Sequence, residues 1–238
     1  MPGYLTKHET VSFAHVADLQ ICSLLDRNQF SDPLGAAAEQ GISSALWPIF
    51  GLLWPSGQQL AARLAARVVS QERILEIGCG LGLASLVGHR RGANITASDC
   101  HPLASTFLLE NLRLNDMPPL PYRHGHWAQA QPLHAPGSAM DASHVNGVYD
   151  LIIGSDLLYD RDASALLAPF ILSHAGAHTE VWIIDPDRGN RSTFHRHMVA
   201  HGFVLHQERL DCVASAGVPA YQGRLLVYQR GVDAPSSA

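Results

Sequence analysis

The stretch ILEIGCGLGLAS, residues 74–85, constrains the fold of this chain more than any other. An apolar, β-branched run carries one acidic residue, Glu76, and passes into glycines at alternate positions, Gly78, Gly80 and Gly82. Glycine takes up left-handed backbone without a Cβ penalty, so such a run bends a strand into a helix and lets another group come close to the main chain. The rest of the chain repeats the alternation. RILEIG (73–78) reads as a strand, 81–91 as a helix and ANITAS (93–98) as a strand, and Pro102 opens a helix with Leu108 and Leu112 on one side. A short extended piece near 120–123 follows, then a strand at 148–155, a helix at 163–173, a strand at 179–185 and a helix at 190–201. FVLHQERL and RLLVYQR close the chain as an antiparallel pair. Alternating strands and helices predict an α/β fold with a doubly wound, mostly parallel sheet.

Upstream, residues 10–25 alternate polar and apolar around Ala17-Asp18, which predicts an N-terminal β-hairpin extension. From Pro55 the spacing turns helical, with Leu60, Leu64 and Val68 on one face and the proline at a first helical position. The irregular segment 129–147 is long for a loop, and loops of that length are uncommon unless functional or disordered. No repeat or boundary interrupts the pattern, so the expectation is one domain over 1–238, an extension at 1–40 and a core at 41–230. A chain of 238 residues can bury a sizeable core. The net charge is −5 and no lysine or arginine run occurs, so a nucleic-acid partner has no electrostatic footprint. No stretch approaches the roughly 20 apolar residues of a membrane span, and the N-terminus lacks an apolar signal core. Cys22, Cys79, Cys100 and Cys212 form no CxxC and read as free thiols of a reducing compartment, so the expected location is cytoplasmic. The sequence is silent on oligomeric state.

The glycine spacing narrows the ligand. A dinucleotide fingerprint, G-x-G-x-x-G, would need glycine at position 83, where the chain has Leu83. That disfavours a nicotinamide-dependent oxidoreductase. Glu76, two residues before the turn, would repel a pyrophosphate and favour a cationic amino-acid moiety. S-adenosylmethionine carries an ammonium and a sulfonium. The second strand ends in Asp99, about 20 residues on, where a carboxylate can accept ribose hydroxyls. Glu76, Gly78, Gly80, Gly82 and Asp99 are therefore expected to hold S-adenosylmethionine.

EIGCGLG, SDCHP and DLIIGSDLLYD resemble the class I, seven-stranded methyltransferases, a Rossmann-like group. More narrowly they resemble the branch of DxxY-type protein-lysine methyltransferases and their bacterial nicotinamide N-methylase-like relatives. LWPIFGLLWPSGQQLA is similar to the Trp-containing segment before that branch's first helix, and IIDPDRG to its DPxR segment after the fifth strand. The resemblance covers roughly residues 42–230 and implies a seven-stranded sheet, S-adenosylmethionine as cofactor, and a protein lysine or a small amine as acceptor. It matches Asp156 and Tyr159 to the DxxY pair lining the acceptor-amine site, and keeps Trp54 as a cofactor neighbour. Trp127 stands where the family has an acidic residue followed by Trp near the adenine, with His126 in the acidic position.

Methyl transfer from a sulfonium asks the protein mainly for positioning and for a neutral acceptor lone pair. Asp156 follows the fourth core strand, where ligands of such sheets bind, and can orient an amine; Tyr159 can shape its channel. The plainer reading is a helix N-cap with Tyr159 packed on it. Ser155 can offer the cofactor a backbone contact, and Trp127 and Trp47 are stacking candidates or packing. Asp185, Asp187 and Arg188 read as a turn held by an Asp–Arg pair, with acceptor recognition as the alternative. His197 and His201 share a helix face at metal spacing, but without a third strong ligand a solvated face is favoured, and His124 and His126 are read the same way. No metal is expected. Cys79 reads as a small filler. The activity expected is S-adenosylmethionine-dependent N-methylation of a protein lysine, with a small-molecule amine or a catalytically silent scaffold as alternatives.

Overall fold

The structure, a computed structural model, describes residues 3–127, 143–159, 161–213 and 220–230. The segment expected to be an irregular insertion, 129–147, lies largely outside the described residues. The chain opens with β1 (Thr6–Phe13) and β2 (Val16–Leu24), an antiparallel hairpin. Its turn is Ala14-His15 rather than Ala17-Asp18, with Phe13 paired to Val16 and His15 at φ 63°. Two-residue hairpin turns need positive φ, which His15 adopts, and Asp18 lies within β2 as an outward-facing polar residue.

A short helix α1 (Ala36–Glu39) and a 3₁₀ turn at Trp47–Gly51 lead to α2 (Pro55–Ala66). Pro55 opens α2, and Leu60 and Leu64 are buried as expected. Val68 is not on that face: Arg67 turns extended after Ala66, and Val68 is 84% exposed.

The core then alternates: β3 (Arg73–Ile77), α3 (Leu83–Arg90), β4 (Asn94–Asp99), α4 (Ala104–Leu114), β5 (Tyr122–His124), β6 (Tyr149–Ser155), α5 (Arg161–Ser173), β7 (Ala175–Asp185), α6 (Arg191–Ala200), β8 (Phe203–Arg209) and β9 (Arg224–Arg230). The seven core strands lie in the order β5-β4-β3-β6-β7-β9-β8, parallel except for β9 against β7 and β8. Alternate residues of the central strands feed opposite faces. Ile74, Leu151, Ile153 and Ile184 pack with α2, α3, α4 and the hairpin. Leu75, Ile77, Ile152 and Ile183 pack with α5 and α6. Each fully buried leucine or isoleucine contributes about 2 kcal/mol through its removal from water. After β3 the chain winds outward to β4 and β5, then returns to place β6 on the other side of β3. That reversal opens the crevice where parallel sheets bind ligands, at the carboxyl ends of β3 and β6. No helix among the described residues is long and apolar enough to cross a membrane.

Candidate functional site

The turn after β3 is built from three left-handed glycines, Gly78 at φ 58°, Gly80 at 52° and Gly82 at 73°. Each also has a close neighbour, a leucine side chain at Gly78 and Gly82 and a backbone carbonyl at Gly80. A Cβ on Gly78 would lie 2.5 Å from the Leu157 side chain and 3.4 Å from the Trp127 ring, one on Gly80 2.6 Å from the Phe50 carbonyl, and one on Gly82 2.6 Å from Leu108. The turn is therefore wedged between the 3₁₀ turn, α4 and the segment after β6. Cys79 lies buried within it, its N–H donating to the Ser98 carbonyl at 2.9 Å, and burial pushes its thiol well up; it is a filler here.

Glu76 is buried. Its Oε2 accepts from the Ser85 N–H at 2.7 Å and from the Ser85 hydroxyl, which fastens α3 to the end of β3. Burial first, and the neighbouring Asp99 last, push its carboxyl up to about 7, against the pull of the Ser85 hydrogen bonds. Asp99, at the end of β4, is also buried; Oδ2 accepts from the Gly80 N–H and Oδ1 from the His101 N–H, both at 2.8 Å. Burial raises its carboxyl as well. Two buried carboxylates thus flank the glycine turn, and neither forms an ion pair with lysine or arginine among the described residues.

His101 carried no signal in the sequence beyond its place in SDCHP. Its ring stacks on Phe50 at 3.7 Å and 11°, Nδ1 accepts from the Leu103 N–H, and Nε2 is buried without a partner. Burial pushes it down to about 4, so the ring is neutral. Trp47, 1% exposed, meets Tyr4, Phe50 and His101 edge to face or tilted and is a core residue. Trp54 is half-buried at the N-cap of α2 and donates Nε1–H to the Ile49 carbonyl at 2.8 Å. Trp127 sits beside Gly78 with its ring 6.3 Å from Phe170. His126 donates Nε2–H to the Gln40 carbonyl at 2.8 Å, which ties this loop to the N-terminal segment. His124 and His126 are half-buried rather than on a solvated face, and the His124 ring meets His144 edge-on at 5.4 Å. His197 and His201 do end an exposed helix, where His201 Nδ1–H donates to the His197 carbonyl.

The second half of the site lies at the ends of β6 and β7. Ser155 reaches α2, its Oγ 3.6 Å from a Cβ built on Gly57. Asp156 has φ 58°, a conformation a side-chain-bearing residue rarely adopts, and its N–H donates to the Ile184 carbonyl at 2.8 Å. Its Oδ2 accepts from Arg188 at 3.0 Å, while Oδ1 is buried without a hydrogen-bond partner. Burial raises its carboxyl and Arg188 pulls it back. Arg188 therefore pairs with Asp156, not with the aspartates of its own turn. Asp187 is held instead by Arg191, Arg209 and Arg224. Asp185 is buried beside Arg191, 3.7 Å away, and is likewise raised by burial. Tyr159 is 37% exposed, with its carbonyl accepting from Asn190. Among the described residues, no cluster of three or more His, Cys, Asp or Glu is arranged to hold a metal ion.

A family model described as "Lysine methyltransferase" matches residues 37–199. Among curated proteins, the chain is similar to the electron transfer flavoprotein beta subunit lysine methyltransferase of Xenopus laevis, 31% identical over 62% of this chain and 58% of that one. It is also similar to protein N-lysine methyltransferase METTL21A of Danio rerio, 35% identical over 37% of each chain. The chain spans 51% to 58% of the length of the first electron transfer flavoprotein relatives. Among solved structures it is similar in fold to ribosomal protein L11 methylase from Lactobacillus delbrueckii subsp. bulgaricus, with TM-score 0.51, 20% identity, and 74% and 79% of the two chains covered. Magnesium protoporphyrin IX methyltransferase from Synechocystis PCC 6803 with bound SAM gives TM-score 0.53 at 17% identity, over 74% of this chain and 78% of that one.

Proposed function

The chain belongs to the lysine methyltransferase family, and from that premise we propose that it moves the methyl group of S-adenosylmethionine onto the side-chain amine of a protein lysine. One observation carries the reading: a buried carboxylate oxygen without a partner, Asp156 Oδ1, stands at the end of β6, next to the glycine turn of β3. The residues fit the cofactor chemically. Glu76 and Asp99 are buried carboxyls with no lysine or arginine paired to them among the described residues, and burial disfavours their charge until a cation arrives, which suits a cationic nucleoside far better than a diphosphate. Gly78, Gly80 and Gly82 would carry the main chain past it, Glu76 would favour its ammonium, Asp99 its ribose, and Trp54, Trp127 and Ser155 would line its remaining sides. When bound, the cofactor supplies a methyl group already activated by positive sulfur. Asp156 Oδ1 would accept an N–H of the acceptor amine and fix its lone pair in line, and Tyr159 would border the channel by which the lysine enters.

The relatives from Xenopus laevis and Danio rerio named electron transfer flavoprotein beta subunit lysine methyltransferase make that subunit the first acceptor to try. The protein is incubated with radiolabelled S-adenosylmethionine and either the recombinant beta subunit or a cell lysate. Label in a protein band is the expected result; label in small molecules alone favours a small-amine acceptor, and no label a silent scaffold. Asp156→Ala is expected to lower transfer by at least about 100-fold while calorimetric cofactor affinity stays within about twofold. Loss of cofactor binding instead would move Asp156 to the other half of the site.

A further inference from the structure

The two oxygens of Asp156 are unlike. Oδ2 accepts from the half-exposed Arg188 at 3.0 Å; Oδ1 is buried and has no hydrogen-bond partner. Resting on the reading of Asp156 as the acceptor-amine site, we propose that Arg188 is a positioning residue which, through Asp156, keeps the acceptor lysine in its neutral, nucleophilic form.

A carboxylate within about 4–6 Å of an amine favours the ammonium by roughly one to three pK units. An ammonium has no lone pair, so a bare aspartate would hold the lysine in the state that cannot react. A carboxylate already compensated by a guanidinium attracts the ammonium less. It keeps one oxygen able to accept an N–H from the neutral amine, and Oδ1 is that oxygen. The other charged groups around Asp156 leave this task to Arg188. From β7, Asp185 stands beside it, Ser155 and Ile184 being paired in register, and Asp185 has Arg191 of α6 at 3.7 Å. Asp187 binds Arg191, Arg209 and Arg224. Tyr221 faces the same side with its hydroxyl bonded to Ser56 of α2. Arg188 is the cation in ion-pair contact with Asp156 among the described residues. In the reaction, the lysine ammonium first releases a proton to solvent. The amine lone pair then forms the N–C bond as the S–C bond breaks, its electron pair remaining on sulfur as a neutral thioether.

Single-turnover transfer to the acceptor labelled above, measured from pH 6 to 10 for the wild type, Arg188→Met and Arg188→Lys, tests this. In the wild type the rate rises to a plateau as the bound amine deprotonates. Arg188→Met is expected to move that rise up by about one pH unit, so the rate falls roughly tenfold below it and recovers at high pH. Arg188→Lys is expected to restore the wild-type profile. An Arg188→Met rate lowered by one factor at every pH, or a profile that does not move, overturns the inference and leaves the reading of the site standing. A wild type that labels no protein lysine removes the site reading itself, and this inference with it.

Discussion

Glu76 serves two ends with one carboxylate. Its bonds to Ser85 fasten a helix, while its charge, buried with Asp99 and with no lysine or arginine beside it among the described residues, is held at a disadvantage until a cation arrives. The folded protein keeps the Glu76 proton up to about pH 7, whereas the unfolded chain releases it near the ordinary glutamate value of 4.5. Between those limits the folded state binds more protons, so stability falls as pH rises, by on the order of 3 kcal/mol in all. Urea unfolding of the cofactor-free protein from pH 4 to 8 is expected to show this fall in the wild type. The Glu76→Gln variant, which keeps an acceptor for Ser85, should show a slope smaller by that amount. Equal slopes would mean that Glu76 is charged in the folded protein without a ligand. The acidic residue before the glycines was legible in the sequence because its charge selects among ligands. Its bond to Ser85 was not, since nothing in the spacing tells a carboxylate aimed at a helix from one aimed at a cofactor. Arg188 was visible as a charge beside two aspartates, yet its partner comes from the neighbouring strand, a contact that only the pairing of β6 with β7 creates.

Among the elements, strands and helices with strong periodicity were legible, and errors fell at their ends. Val68 continues the Leu60–Leu64 spacing but lies beyond α2, because Arg67 leaves the helix with its side chain committed to Glu72 at 2.8 Å. The hairpin turn lies at Ala14-His15 rather than Ala17-Asp18 because His15 takes a positive φ, a conformation turns usually leave to glycine, asparagine or aspartate. The glycine turn was legible in its spacing, but its packing was not: its glycines lie against Leu157, Phe50 and Leu108, residues distant in sequence. Two alanine substitutions separate conformational strain from collision. Gly92 has φ 82° and nothing within 4 Å of an added Cβ, so Gly92→Ala should destabilise by about 1 kcal/mol. Gly80→Ala adds a clash with the Phe50 carbonyl at 2.6 Å, a backbone atom that cannot swing away, and should destabilise by about 3 kcal/mol or more. Thermal melts of the two variants decide the matter; equal losses would show that the 3₁₀ turn yields freely.

At the scale of the whole molecule, the alternation of strands and helices gave away the doubly wound sheet, whereas the seat of the N-terminal hairpin was hidden because side chains of a distant helix make it. Asn115, the C-cap of α4, accepts from the Gln20 N–H at 2.8 Å and donates to the Gln20 carbonyl at 2.7 Å, and Asn111 of α4 accepts from the Cys22 N–H at 2.7 Å. Two asparagines one turn apart thus stand in for a neighbouring strand along the free edge of β2, which would otherwise present unpaired groups. The hairpin in turn supports the site: Leu24 packs against Gly51, Gly51 ends the 3₁₀ turn, and the Phe50 carbonyl of that turn bears on Gly80. Asn111 is fully buried, so Asn111→Ala would strand the Cys22 N–H and destabilise by roughly 1–3 kcal/mol. Because the bond latches one unit onto another, the loss should appear first as faster amide exchange in β1, β2 and the 3₁₀ turn, with β3 and β6 protected as before. If exchange quickens equally across β3 and β6, the hairpin is no separable latch but part of one cooperative unit with the sheet.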